Sequence, residues 1–174
     1  AQYYGAGETE KCPRVVTQGL LMALASLPLL LLAGWLGGYM FDWMGHDPAQ
    51  VSIERLYFQI LMAGGFFTLV KACLACYFSG IGRTRVVMIA DVLGVSLNIP
   101  LSWVLIFGHL GLPAMGLAGA GIGTVVAAIF AIGIYLAFYL NGQHQRQFLV
   151  SRAWRFDPGI IRRYLRLGAP SGLE

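Results

Sequence analysis

Two stretches without a charged side chain limit what this chain can fold into. No Lys, Arg, Asp or Glu occurs between Arg14 and Asp42, and none occurs in the 54 residues between Asp91 and Arg146. An average soluble domain carries about 25% charged residues; here the figure is 11%, against 57% hydrophobic. Such runs cannot be hidden in the core of a small soluble globule. The sequence therefore predicts an all-α fold, a polytopic transmembrane helical bundle.

As a single helix the longer run would extend roughly 80 Å, whereas a bilayer core is about 30 Å thick. It must turn back once, and "GHLGLPAMG" (108–116) supplies the glycines and proline of that turn. The pattern predicts four complete spans, at 16–36, 57–79, 86–107 and 114–140, making 1–140 a bundle of spans. Residues 141–164 read as a basic loop and 165–174 as the start of a further bundle. The chain opens at Ala1 and stops at "GAPSGLE" as another apolar segment begins, so it reads as a piece of a longer protein. No basic n-region with a small-residue cleavage site marks a secretory signal.

Basic residues orient the spans. Lys11 and Arg14 precede the first, Arg83 and Arg85 lie between the second and third, and Arg146, Arg152, Arg155, Arg162, Arg163 and Arg166 follow the fourth. The opposite loops hold only Arg55, so the positive-inside rule places 1–14, 80–85 and 141–166 in the cytoplasm. The net charge of +4 thus reflects orientation, and no aromatic-interleaved basic groove points to nucleic acid. Asp47-Pro48 and Asp157-Pro158 each read as an N-cap followed by proline at the first helical position. The second opens "GIIRRYLRLG", whose Ile160, Ile161, Tyr164 and Leu165 oppose Arg162, Arg163 and Arg166, as in a helix resting on the cytoplasmic membrane surface.

Polar groups inside the apolar spans are the candidates for function. Asp91, Gly94, Asn98 and Ser102 recur at steps of 3, 4 and 4 and share one helix face. Intramembrane polar groups normally face a bundle interior or a water-filled cavity, although an amide such as Asn98 can simply bond to a neighbouring helix. Pro100 removes one helical bond, to residue 96, and is a candidate kink that frees a carbonyl near Asn98, with Ser96 offering partial compensation. In the fourth span, rows Gly119, Gly123, Ala127 and Gly116, Ala120, Thr124, Ala128 favour close helix packing. Thr124 adds the one hydroxyl, able to turn toward Asn98.

Lys71 precedes Gly82 by 11 residues and Asp91 follows it by 9, so an antiparallel helix pair turning at "SGIGRTR" brings them to similar depth. They are expected to form an intramembrane ion pair, as packing or as a gate, in competition with Lys71 snorkelling to the interface. Cys73 and Cys76 form a C-x-x-C within a hydrophobic helix, where small residues at a packing face are a better reading than a redox pair. With Cys12 they make no disulfide framework. The spans hold a single carboxylate and only loop-proximal histidines, which argues against a membrane-embedded enzyme. A purely structural scaffold would require the whole polar stripe to be packing glue.

The chain resembles the MATE (multidrug and toxic compound extrusion) family of cation-coupled antiporters. The resemblance rests on "AQYYGAGE" (1–8), "SGIGRTRVVMIADVLGVSLNIPLSWVLIFG" (79–108), "GLPAMGLAGAGIGT" (111–124) and "LRLGAPSGLE" (165–174). It implies helices three to six of about twelve, arranged in two related halves around a central cavity with alternating access. It implies export of small organic cations against sodium ions or protons, from a cell (inner) membrane, by a monomer when full length, with no cofactor beyond the coupling ion. Among family members an asparagine, an aspartate four residues later and a threonine line the first-half cation site. Asn98 matches the asparagine and Thr124 the threonine, which makes them candidate sodium ligands, while Ser102 stands at the aspartate's position. Asp91 lies closer to the cytoplasm on the same face. A lipid-linked oligosaccharide flippase of the same superfamily is the alternative, but it would need a basic cavity, and only Lys71 is basic within the spans.

Overall fold

The computed structural model describes residues 2–141, 159–162, 164 and 166. A single turn, α1 (Gln2–Gly5), leads into four long helices: α2 (Lys11–Gly38), α3 (Pro48–Gly80), α4 (Thr84–Phe107) and α5 (Gly116–Tyr139). Each is long and apolar enough to cross a bilayer.

Helix ends follow local chemistry more closely than hydrophobicity does. Pro13 falls in the first turn of α2, where its missing N–H costs no bond, so α2 begins at Lys11 rather than 16. At its far end α2 tightens into a 3₁₀ segment, Tyr39–Trp43. The Asp47-Pro48 start forms as expected, with Asp47 Oδ1 accepting the Ala49 N–H at 2.9 Å. This cap starts α3 nine residues before 57. At 33 residues α3 is about 50 Å long, so its capped end projects beyond a core about 30 Å thick. The fourth helix begins at Gly116, not 114, because Pro113 and the left-handed backbone of Gly111 (φ +83°) and Gly116 (φ +53°) hold the preceding turn open. Gly108 closes α4 at φ +73°, and a Cβ there would lie 2.5 Å from the Ala114 nitrogen, so only glycine fits.

Pro28 and Pro100 lie inside α2 and α4, and both helices continue through them. The Asp157-Pro158 start and the bounds of the basic loop and of 165–174 lie outside the described residues.

Across the bundle the helices run in the order α2, α3, α5, α4, so α5 is wedged between two sequence neighbours that touch only sparsely. Small residues make that wedge possible. A Cβ on Gly119 would stand 2.7 Å from the Leu105 carbonyl, and Gly64 of α3 receives the Val125 side chain of α5. The row Gly119, Gly123, Ala127 is therefore the seam with α4, as small-residue rows allow. The parallel row through Gly116 and Thr124 is more exposed.

The tightest core lies at the end carrying Arg83. Val16, Leu74, Phe78, Ala90 and Tyr135 are buried there. Phe78 stacks on Tyr135 at 5.8 Å, and Tyr77 meets Tyr139 edge-on at 5.4 Å. Toward the opposite end Leu29, Ile99 and Trp43 are left exposed, as apolar surface in contact with lipid or further helices would be. That end is held by Arg55, which donates to the Gly38 carbonyl, pairs with Asp42 and lies over the Tyr39 ring.

Candidate functional site

The candidate site lies in the angle between α3 and α4, backed by α5. At its base Lys71 Nζ stands 2.9 Å from Asp91 Oδ1. The two charges sit on different helices at matching depth, as the antiparallel turn required, so snorkelling does not win here. The Tyr135 hydroxyl of α5 donates to the same Asp91 oxygen at 3.4 Å. Three helices are thus joined by one polar cluster in an otherwise apolar region. The side chains of Lys71 and Asp91 remain 32% and 43% exposed, so the pair opens onto the angle and is not sealed in the core.

The other candidates rise from this base by helical repeat. Asn98 follows Asp91 by two turns and shares its face, and Thr124 precedes Tyr135 by three turns on α5 and shares that residue's face. By rise they lie about 10–16 Å further along the helices than the charge pair. Asn98 is half-buried. Among the described residues the three predicted ligands are not joined to one another. The Thr124 hydroxyl donates to the Ala120 carbonyl of its own helix at 3.0 Å, so it does not turn to Asn98. Ser102 lies against α5, where a Cβ on Gly123 would meet its Oγ at 2.5 Å. Gly94 likewise rests against Ala127 and Ala131. The stripe is therefore divided: Gly94 and Ser102 serve the α4–α5 seam, and Asp91 meets Lys71 in the angle.

Tyr135 is the participant that sequence reasoning missed. A tyrosine in a run such as "IYLAFYL" reads as apolar bulk, and its partner is 44 residues away. Its spacing from Thr124 was the available signal.

A second concavity, a groove of about 660 Å³, runs between α2 and α3 at the Arg83 end. All three cysteines line it and all are free. Cys73 packs over Gly19, which agrees with the packing reading of the C-x-x-C; Cys76 is exposed. Ile160 and Tyr164 border the groove, with the Tyr164 hydroxyl donating to the Val15 carbonyl at 3.2 Å. Burial pushes that hydroxyl up to about 12, so it stays a neutral donor across the physiological range. Among the described residues Arg162 and Arg166 are exposed, while Ile160 and Tyr164 face α2 and α3, so this apolar side packs on the protein itself where the sequence pattern had it resting on the membrane surface.

The family model MatE matches residues 1–104. The chain belongs to the MatE family. Its relatives include two proteins named "Probable multidrug resistance protein NorM". That of Pasteurella multocida (strain Pm70) is 31% identical over 95% of this chain and 36% of its own length. That of Agrobacterium fabrum (strain C58 / ATCC 33970) is 29% identical over 98% of this chain and 37% of its own. This MatE chain thus spans a little over a third of the relatives it matches. A solved structure, "Inward-facing conformation of a multidrug resistance MATE family transporter of the MOP superfamily", superposes with a TM-score of 0.84 over 99% of this chain and 39% of that one, at 23% identity. Family membership and four spanning helices make the MatE chain part of a multi-pass membrane protein.

Proposed function

We propose that the chain is part of a secondary transporter that exports small organic cations in exchange for sodium ions or protons. Membership of the MatE family carries this reading, together with relatives named as multidrug resistance proteins. The polar groups along the α3–α4 angle supply what such a mechanism needs, namely side chains at membrane depth able to exchange partners. We place the protein in the cell (inner) membrane, acting as a monomer, with 1–14, 80–85 and 141–166 on the cytoplasmic side. Asn98 and Thr124 remain the proposed cavity-lining groups for the coupling ion; Ser102, expected with them from the sequence, packs against Gly123 in the α4–α5 seam and would need to leave it to join them.

The flippase alternative is not favoured. It would need a basic cavity for a pyrophosphate, and Lys71, the basic group deep within the described spans, is already paired with Asp91. Efflux of a fluorescent cationic dye from cells expressing the full-length protein tests the proposal, with sodium and proton gradients collapsed separately. Efflux that stops with one gradient establishes antiport and identifies its ion. Efflux indifferent to both gradients overturns coupling.

A further inference from the structure

We infer that Asp91 is an exchange site for a monovalent metal cation, occupied at rest by the Lys71 ammonium as a tethered substitute. The inference deepens the transport reading and rests on it for its purpose, but it concerns binding and can be tested without transport.

Three observations carry it. First, the oxygens of Asp91 and the Tyr135 hydroxyl converge on one region, and a monovalent cation, the ammonium of Lys71, already stands 2.9 Å from Asp91 Oδ1. Carboxylate and hydroxyl oxygens are the donors that hard cations such as sodium prefer. Second, both members of the pair are partly exposed within this chain, at 32% and 43%, so α3, α4 and α5 do not themselves seal the carboxylate. Third, α3 and α4 make few other contacts, so the pair can part without rebuilding a large interface.

Charge accounting gives the direction of the change. At rest the pair is neutral. A sodium ion bound at Asp91 leaves Lys71 with an uncompensated charge, which is costly at membrane depth. Lys71 relieves this by extending along α3 toward water at the Arg83 end, as long basic side chains do. Exchange therefore detaches α3 from α4 at that end and leaves the ion between α4 and α5. Tyr135 keeps its contact with Asp91 in either state. The charged side chain from α3 at the cluster is Lys71, that from α4 is Asp91, and α5 contributes the Tyr135 hydroxyl.

The chain contains only two lysines, which gives the experiment an internal control, because Lys11 is exposed and lies outside the angle. The purified full-length protein would be treated with acetic anhydride in sodium chloride or in choline chloride of equal ionic strength. Acetylation of Lys71 relative to Lys11 would be read by mass spectrometry. Sodium is expected to raise this ratio roughly five-fold, the population change that corresponds to releasing a half-exposed pair of about 1 kcal/mol. Asp91→Asn should show the raised ratio in both salts. Tyr135→Phe, which keeps the ring and its packing, should shift the response to higher sodium. If Asp91→Asn does not fold, Asp91→Glu retains a carboxylate and must retain the sodium response. A wild-type ratio unmoved by sodium overturns the inference and leaves the pair structural. A ratio unmoved by sodium but raised by lowering the pH also overturns it, in favour of a proton at Asp91. In either case dye efflux can persist, so failure here is separable from failure of the transport proposal.

Discussion

A single charged side chain at membrane depth is held in place by its partner. Lys71→Met leaves Asp91 with only the Tyr135 hydroxyl as a partner among the described residues, a situation disfavoured by about 1–3 kcal/mol. The expected outcome is a lower yield of folded protein by size-exclusion chromatography, with recovery when Asp91→Asn is added. No such recovery would show that the charges act independently. Thr124 behaves differently, because its hydroxyl bonds to its own helix and the side chain is exposed. Thr124→Val should change the melting temperature by no more than about 0.5 kcal/mol would produce. A large loss of dye efflux in that stable variant would then assign the hydroxyl to the transport path, and unchanged efflux would remove it from the proposed ion ligands.

Helix by helix, the contacts that decide the arrangement are backbone approaches at small residues. Gly119 faces the Leu105 carbonyl so closely that Gly119→Ala must push α5 from α4, and the expected cost is about 1–3 kcal/mol. Thermal unfolding followed by tryptophan fluorescence would measure it, with Gly133→Ala, which meets nothing within 4 Å, as the control. The Gly119, Gly123, Ala127 row could be read as a packing face from spacing alone, and so could the Lys71–Asp91 depth match. The partner of each row was not legible. A row of glycines states that something approaches and gives no identity, which is why Gly64 receiving Val125 emerges only from the structure. The same limit applies to Ser102: period 3.6 placed it beside Asn98 correctly, but its nearest neighbour belongs to a helix the pattern could not position.

For the chain as a whole, charge asymmetry made orientation and span number readable, because so few charged residues remain to be explained. In the structure the alternating helices bring Lys11, Arg14, Arg83 and Arg85 to one end and Arg55 to the other. Single cysteines placed at 84 and at 45, in a background lacking Cys12, Cys73 and Cys76, test this directly. A membrane-impermeant maleimide added to intact cells should label position 45 and spare position 84 until the membrane is opened. Labelling of 84 from outside would reverse the assignment.

The insertion of α5 between α3 and α4 also has a consequence for assembly of the chain. A hairpin of α3 and α4, complete as soon as residue 107 is made, has little surface on which to close, and its natural interior is a helix not yet synthesised. The hairpin gains most of its packing only when α5 arrives, with the Lys71–Asp91 pair bridging it, so order of synthesis and order of packing differ in this bundle.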